Sequence, residues 1–165
     1  MILVEADVSE EWDSRTDWTA LADRSVRAAV VHSRHARLID REVEVSVRLT
    51  SDMEVRSLNA AWRGKDKPTN VLSFPMVEEG KIGSPAEPML GDIVLAHGIC
   101  ALEAAEKQVP VESHAAHLMV HGTLHLLGYD HETTEADAEE MEEAERQALA
   151  SIGIADPYQV TEVNT

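Results

Sequence analysis

The stretch HGTLHLLGYDH, residues 121–131, decides how this chain is read. His121 and His125 stand four residues apart, so on a helix their rings leave one face with Cβ atoms about 5–6 Å apart. Two imidazoles at that separation can share one metal ion. Gly128 follows three residues later, where a glycine accepts the left-handed conformation that turns the chain back after a helix. His131, three residues further on, is then predicted to swing beneath the same ion. Three imidazoles leave the fourth position of a tetrahedral zinc ion open to water, which separates a catalytic site from a closed structural one. Water on such an ion ionises near pH ~7. Histidine-only ligation also suits nickel, cobalt or copper, so a single zinc ion is the expectation from ligand softness and availability.

Outward from this stretch the pattern is that of strands and helices around one core. Helices are predicted over about 98–108, 112–127 and 134–152, the last stopping at Gly153. Val43, Val45, Val47 and Leu49 alternate with Glu42, Glu44, Ser46 and Arg48, the pattern of a strand with one buried face. Residues 2–8, 71–75 and 90–96 read as further strands. Thr16 is placed to cap a helix from Asp17 to about Arg37 whose Trp18, Leu21, Ala22, Val26, Ala29, Val30 and Ser33 form one stripe. Ser51 and Glu54 make a capping box for a short helix through Val55, Leu58 and Trp62. Residues 63–70 are a polar loop, and residues 77–89 form the longest one. The order β-α-β-α-β-β-α-α-α predicts an α+β domain, a small mixed sheet packed with helices, spanning residues 1–165 as one unit.

At 165 residues, 44% hydrophobic and 27% charged, the chain has an ordinary globular composition. It shows no apolar run of membrane-spanning length. The first residues lack the basic segment of a secretory signal, and the single Cys100 fits a reducing cytosol, so a cytoplasmic location is expected. Cys100 itself reads as a buried small apolar residue. The net charge is −17, but it is unevenly placed. Residues 24–67 hold ten bases against six acids, whereas residues 68–165 hold 18 acids and only three bases. Phosphate contacts need Lys and Arg, so any polyanion site must draw on the 24–67 stretch. Nine acids crowd residues 130–145 and are read as the solvated face of a helix, with Ala138, Met141, Ala148, Leu149 and Ile152 turned inward.

The histidine spacing matches the metzincin peptidase signature H-E-x-x-H-x-x-G-x-x-H except that Gly122 replaces the glutamate, which is the peptidase's general base. A phosphodiester is the alternative substrate, because its non-bridging oxygens can bind the metal and activated water can attack phosphorus. Asp130 is a proton acceptor only by its adjacency to His131.

Together with LNAAWRGKDKPTNVLSFP (58–75), LGDIVLA (90–96), ESHAAH (112–117) and DPY (156–158), the histidine stretch resembles the bacterial YbeY family. The resemblance covers most of residues 43–157. It implies a zincin-like fold with the metal helix at the core. It further implies a zinc-dependent, single-strand-specific endoribonuclease acting in 16S ribosomal RNA 3′-end maturation and ribosome quality control. Carried over, His121, His125 and His131 are the zinc ligands and Arg63 is the functional arginine, suited to bind two phosphate oxygens. Its other available role is to anchor the loop to Asp66 or to a carbonyl. Lys65, Lys67 and His117 are candidate substrate contacts, and His114 reads as a packed histidine. The implied partners are single-stranded ribosomal RNA and the ribosome or small-subunit assembly factors, with neither membrane nor DNA. Two other readings stand beside this one: a metal-dependent hydrolase of an amide or ester bond, and a non-catalytic ribosome-assembly factor with a structural metal.

Overall fold

β2 (Val43–Thr50) lies inside the sheet, and its alternation explains why. Val43, Val45, Val47 and Leu49 are buried, while Glu44 and Ser46 are half-buried and Arg48 is exposed, so helices cover chiefly one face. The computed structural model describes residues 1–130 and 133–158. In it β1 (Ile2–Val8), β2 and β4 (Met89–Ala96) run parallel, and β3 (Val71–Pro75) pairs antiparallel with β4. The strand order is β1-β2-β4-β3, which leaves β3 as an edge. The described residues also form five α-helices: α1 (Trp18–Val31), α2 (Asp52–Arg63), α3 (His97–Lys107), α4 (Val111–Leu126) and α5 (Glu135–Ser151). Among the described residues no helix is long and apolar enough to cross a membrane.

α4 sits at the centre. It packs against α1, α3, α5, β3 and β4, and eleven of its sixteen residues are buried. Its core partners include Leu49, Ile93, Leu95 and Leu149, all completely shielded from solvent. A second, smaller cluster lies on the opposite side of the sheet, where Val55 of α2 meets Leu72, Val94 and Ala96. β3 and β4 are therefore held between α4 on one side and α2 on the other.

Two helix ends differ from expectation. Asp17, not Thr16, caps α1 by accepting a hydrogen bond from the Ala20 amide at 3.0 Å. Thr16 instead donates to Glu112 at the start of α4, 3.0 Å away. α1 also stops at Val31 rather than near Arg37, and a short 3-10 turn follows at Ala36–Asp40. His32 and Ser33 direct their side chains to the carbonyls of Ala28 and Val30, at 2.9 and 2.8 Å, and so compete with continuation of the helix. The Ser51 cap forms as expected, accepting from the Glu54 amide at 3.1 Å. The Glu54 carboxylate turns to Thr50 and Arg48 instead of closing the reciprocal half of the box.

Candidate metal centre and its cleft

His121 and His125 of α4 point their Nε2 atoms at each other, 3.1 Å apart, with ring centroids separated by 4.7 Å. Tetrahedral zinc with Zn–N bonds of normal length holds two nitrogens about 3.3 Å apart. The pair therefore fits as two ligands of a single ion. Among the described residues no third histidine, cysteine or carboxylate joins them as a metal-binding group, and His131 lies outside those residues. The chain leading toward it is anchored. Gly128 adopts φ 94° past the helix end, and the Tyr129 amide donates back to the Leu124 carbonyl at 3.0 Å. The Tyr129 hydroxyl accepts from the Arg34 amide at 2.9 Å, and the Arg34 guanidinium lies 4.0 Å over the Tyr129 ring.

What orients His121 comes from another helix. Glu145 of α5 is completely buried, and its Oε2 accepts from His121 Nδ1 at 2.5 Å. That bond places the proton on Nδ1 and leaves the Nε2 lone pair free to bind a metal, the carboxylate–histidine arrangement that supports metal ligands generally. Glu145 Oε1 accepts from the Tyr158 hydroxyl, and His117 Nε2 lies 3.5 Å from the same oxygen. Burial alone pushes the Glu145 carboxyl up. The hydrogen bonds from His117 and His121 outweigh it and hold the group at about 2. Burial and the Glu145 charge push the Tyr158 phenol upward, so it stays a donor.

The reading of the acid-rich helix is thus corrected at one position. Glu145 does not belong to the solvated face; it shares the inward stripe with Met141, Ala144, Ala148 and Leu149. Ala138 and Ile152, expected inside, are only half-buried. The signal was present in the sequence, since 145 falls four residues after Met141 and four before Leu149.

His121 and His125 open onto a cleft of about 580 Å³ that Arg63, Lys65 and Lys67 also line. α2 ends at Arg63 because Gly64 takes φ 69° and sends the chain away. The loop is then clamped by buried Asn59, whose amide donates to the Lys67 carbonyl at 2.9 Å. Asp66 does not hold Arg63. It pairs with Arg56 at 2.8 Å, and the exposed Arg63 guanidinium forms no ion pair or hydrogen bond among the described residues. His117 does not reach the cleft: it is 8% exposed and sits behind His121, against Tyr158 and Glu145. His114 is buried against Glu103 at 2.7 Å, and burial lowers its pKa against the opposing pull of that carboxylate. Glu103 also receives Asn70, a cleft residue, at 3.1 Å. Asp130 accepts from the Thr133 hydroxyl at 2.9 Å.

At Gly122, α4 packs tightly against β3 and β4. A Cβ there would lie 2.8 Å from Ile93 Cγ2 and 3.1 Å from Ser73 Oγ. The position occupied by a glutamate in the peptidase signature thus has no room for a side chain.

The family model described as Endoribonuclease YbeY matches residues 8–153. The Endoribonuclease YbeY of Rhizorhabdus wittichii is 53% identical over 169 residues, covering 98% of this chain and 99% of the relative. That of Novosphingobium aromaticivorans is 52% identical, covering 96% of each. The solution structure of TM1509 from Thermotoga maritima covers the whole of both chains with a TM-score of 0.56 at 24% identity, a likeness of fold.

Proposed function

The chain belongs to the endoribonuclease YbeY family, and from that premise we propose that it hydrolyses single-stranded RNA with one zinc ion held by His121, His125 and His131. The observation that carries the reading is the Nε2 pair of α4, 3.1 Å apart, in one cleft with Arg63, Lys65 and Lys67. Zinc in that position supplies Lewis acidity and a water activated at neutral pH. The rest of the chemistry belongs to the chain's own residues. Arg63 offers a planar pair of charged donors to two phosphate oxygens. Because no carboxylate neutralises it, that charge is available to the phosphate as negative charge grows on it. Lys65 and Lys67 meet flanking phosphates. Glu145 keeps the His121 proton on Nδ1, away from the metal-facing nitrogen.

The substrate we propose is ribosomal RNA, with action at the 3′ end of the 16S species and in ribosome quality control. The ribosome or an assembly factor brings the RNA to the enzyme. A net charge of −17 makes unaided capture of RNA weak, so the ribosome supplies the local concentration that the cleft cannot. An amide or ester substrate finds no support at Gly122, where the peptidase base is missing and has no space.

The test sets RNA and peptide substrates side by side, with and without chelator. Cleavage of single-stranded RNA alone, abolished by chelation and restored by zinc, is expected. Peptide hydrolysis, or RNA cleavage indifferent to chelation, overturns the reading. His125→Ala distinguishes a catalytic from a structural metal: the expected variant stays folded and loses cleavage, whereas unfolding assigns the metal a structural role.

A further inference from the structure

β3 is one strand thick and divides two concavities. Ser73 and Pro75 line the histidine cleft on the α4 side. Phe74 and Met76, alternating with them, line a second groove of about 430 Å³ on the α2 side, together with Leu58, Trp62 and Val94. Among the described residues the outer edge of β3 pairs with no other strand, because the sheet order ends there. A single polynucleotide strand can therefore pass from one concavity to the other over that edge.

The two sides are chemically complementary. Trp62 and Arg63 are the last residues of α2, and they diverge: Arg63 lines the cleft and Trp62 the groove. Trp62 is 73% exposed and Met76 60%, a large apolar surface left in water. Aromatic residues are scarce in this chain, and the other two tryptophans, Trp12 and Trp18, are buried. The charge on the groove suits a base better than a phosphate. Arg48 is already paired with Glu54 at 2.9 Å, and Asp92 contributes a carboxylate that repels phosphate and accepts hydrogen bonds from an amino group. Arg63, Lys65 and Lys67, which form no ion pair among the described residues, line the cleft on the other side of β3, where the phosphate belongs.

We propose that the groove behind β3 is a base-stacking subsite, in which a nucleobase flanking the scissile phosphate lies against Trp62, beside Phe74 and Met76. The proposal rests on the ribonuclease reading and deepens it. Single-stranded RNA is recognised by splayed bases on aromatic faces combined with cationic contacts to its backbone. A base held in a duplex cannot leave its stack to enter the groove, so the subsite itself selects single strands.

The experiment measures kcat/KM of the zinc-loaded enzyme on a single-stranded oligoribonucleotide, intact or carrying one abasic nucleotide at each position around the cleaved bond. Trp62→Ala is expected to lower kcat/KM on the intact strand about 5- to 100-fold, the equivalent of ~1–3 kcal/mol for one base on one aromatic ring. Trp62→Phe recovers most of the loss. At one flanking position the abasic nucleotide lowers the wild-type value by the same factor and does nothing further to Trp62→Ala. Intact RNA cleaved equally by wild type and Trp62→Ala overturns the subsite, as do penalties that multiply at every position. If Trp62→Ala spares RNA cleavage but weakens binding of a purified ribosomal protein, the groove is a protein-docking surface and the proposal fails. Wild-type enzyme that cleaves no RNA at all sinks the ribonuclease reading, a result distinct from equal cleavage by the two proteins.

Discussion

Glu145→Gln tests whether the metal site is built by α4 alone or by α4 and α5 together. The substitution keeps the volume of the side chain and removes its charge. Wild-type Glu145 serves donors on both oxygens, His121 Nδ1–H on Oε2, and the Tyr158 hydroxyl together with His117 Nε2 at 3.5 Å on Oε1. Glutamine has one carbonyl oxygen, so one of those donors loses its acceptor. If the amide nitrogen faces His121, two N–H groups oppose each other, and the imidazole relieves the conflict by moving its proton to Nε2, the atom a metal needs. If it faces Tyr158, His121 keeps a neutral acceptor in place of a charged one. A hydrogen bond to a charged partner contributes ~1.5–3 kcal/mol. Loss of such a supporting bond typically weakens metal affinity about 10–100-fold, which is the same range in free energy.

The assay is a zinc competition titration of the apo protein against a chromogenic chelator at neutral pH, with thermal unfolding of the same apo samples. We expect the zinc Kd of Glu145→Gln to rise about 10–100-fold in a protein that still melts cooperatively. Tyr158→Phe, which removes a donor and leaves the His121 bond intact, is expected to shift it less. A folded Glu145→Gln variant whose zinc Kd stays within about twofold of wild type refutes the reasoning, because tautomer control by Glu145 is then worth almost nothing against the ~1.4 kcal/mol of a tenfold change.

Three further outcomes are expected. Arg63→Ala lowers kcat/KM on RNA by about 10²–10³-fold while leaving the melting temperature essentially unchanged, because the side chain is exposed and pairs with none of the described residues; Arg63→Lys restores little, lacking the paired donors. Gly122→Ala gains up to ~1 kcal/mol of helix propensity but overpacks against Ile93 at an expected cost of ~1–3 kcal/mol, so it lowers the melting temperature by a few degrees. Glu145 is held at about 2 in the fold against an ordinary 4.5, so its contribution is complete above about pH 5 and is lost as pH falls from 4.5 toward 2. The amount is on the order of 3 kcal/mol, and the gap between wild type and Glu145→Gln in urea unfolding therefore narrows from pH 7 to pH 3.

The parts of this molecule legible in its sequence are those fixed by near neighbours along the chain. The valines of β2 announce a half-buried strand by alternation alone, and Ser51 caps α2 by reaching an amide three residues away. The approach of His121 to His125 was equally legible, because a separation of four on a helix is itself a distance. Glu145 was not. Its partners are 24 residues back on α4 and 13 residues ahead near the end of the described chain, and its neighbours are acids that do face water. Only the helical phase, which puts 145 on the stripe of Met141 and Leu149, distinguishes a buried carboxylate from a solvated one. Arg63 shows the same limit in reverse. Asp66, three residues away, was its obvious partner, yet Arg56 captures that acid from ten residues' distance because α2 and the following loop bring them together. That exchange matters to an acidic protein. By neutralising Asp66 with Arg56, the fold leaves Arg63, Lys65 and Lys67 uncompensated around the cleft, and so concentrates positive potential at the one place where a phosphate must be held.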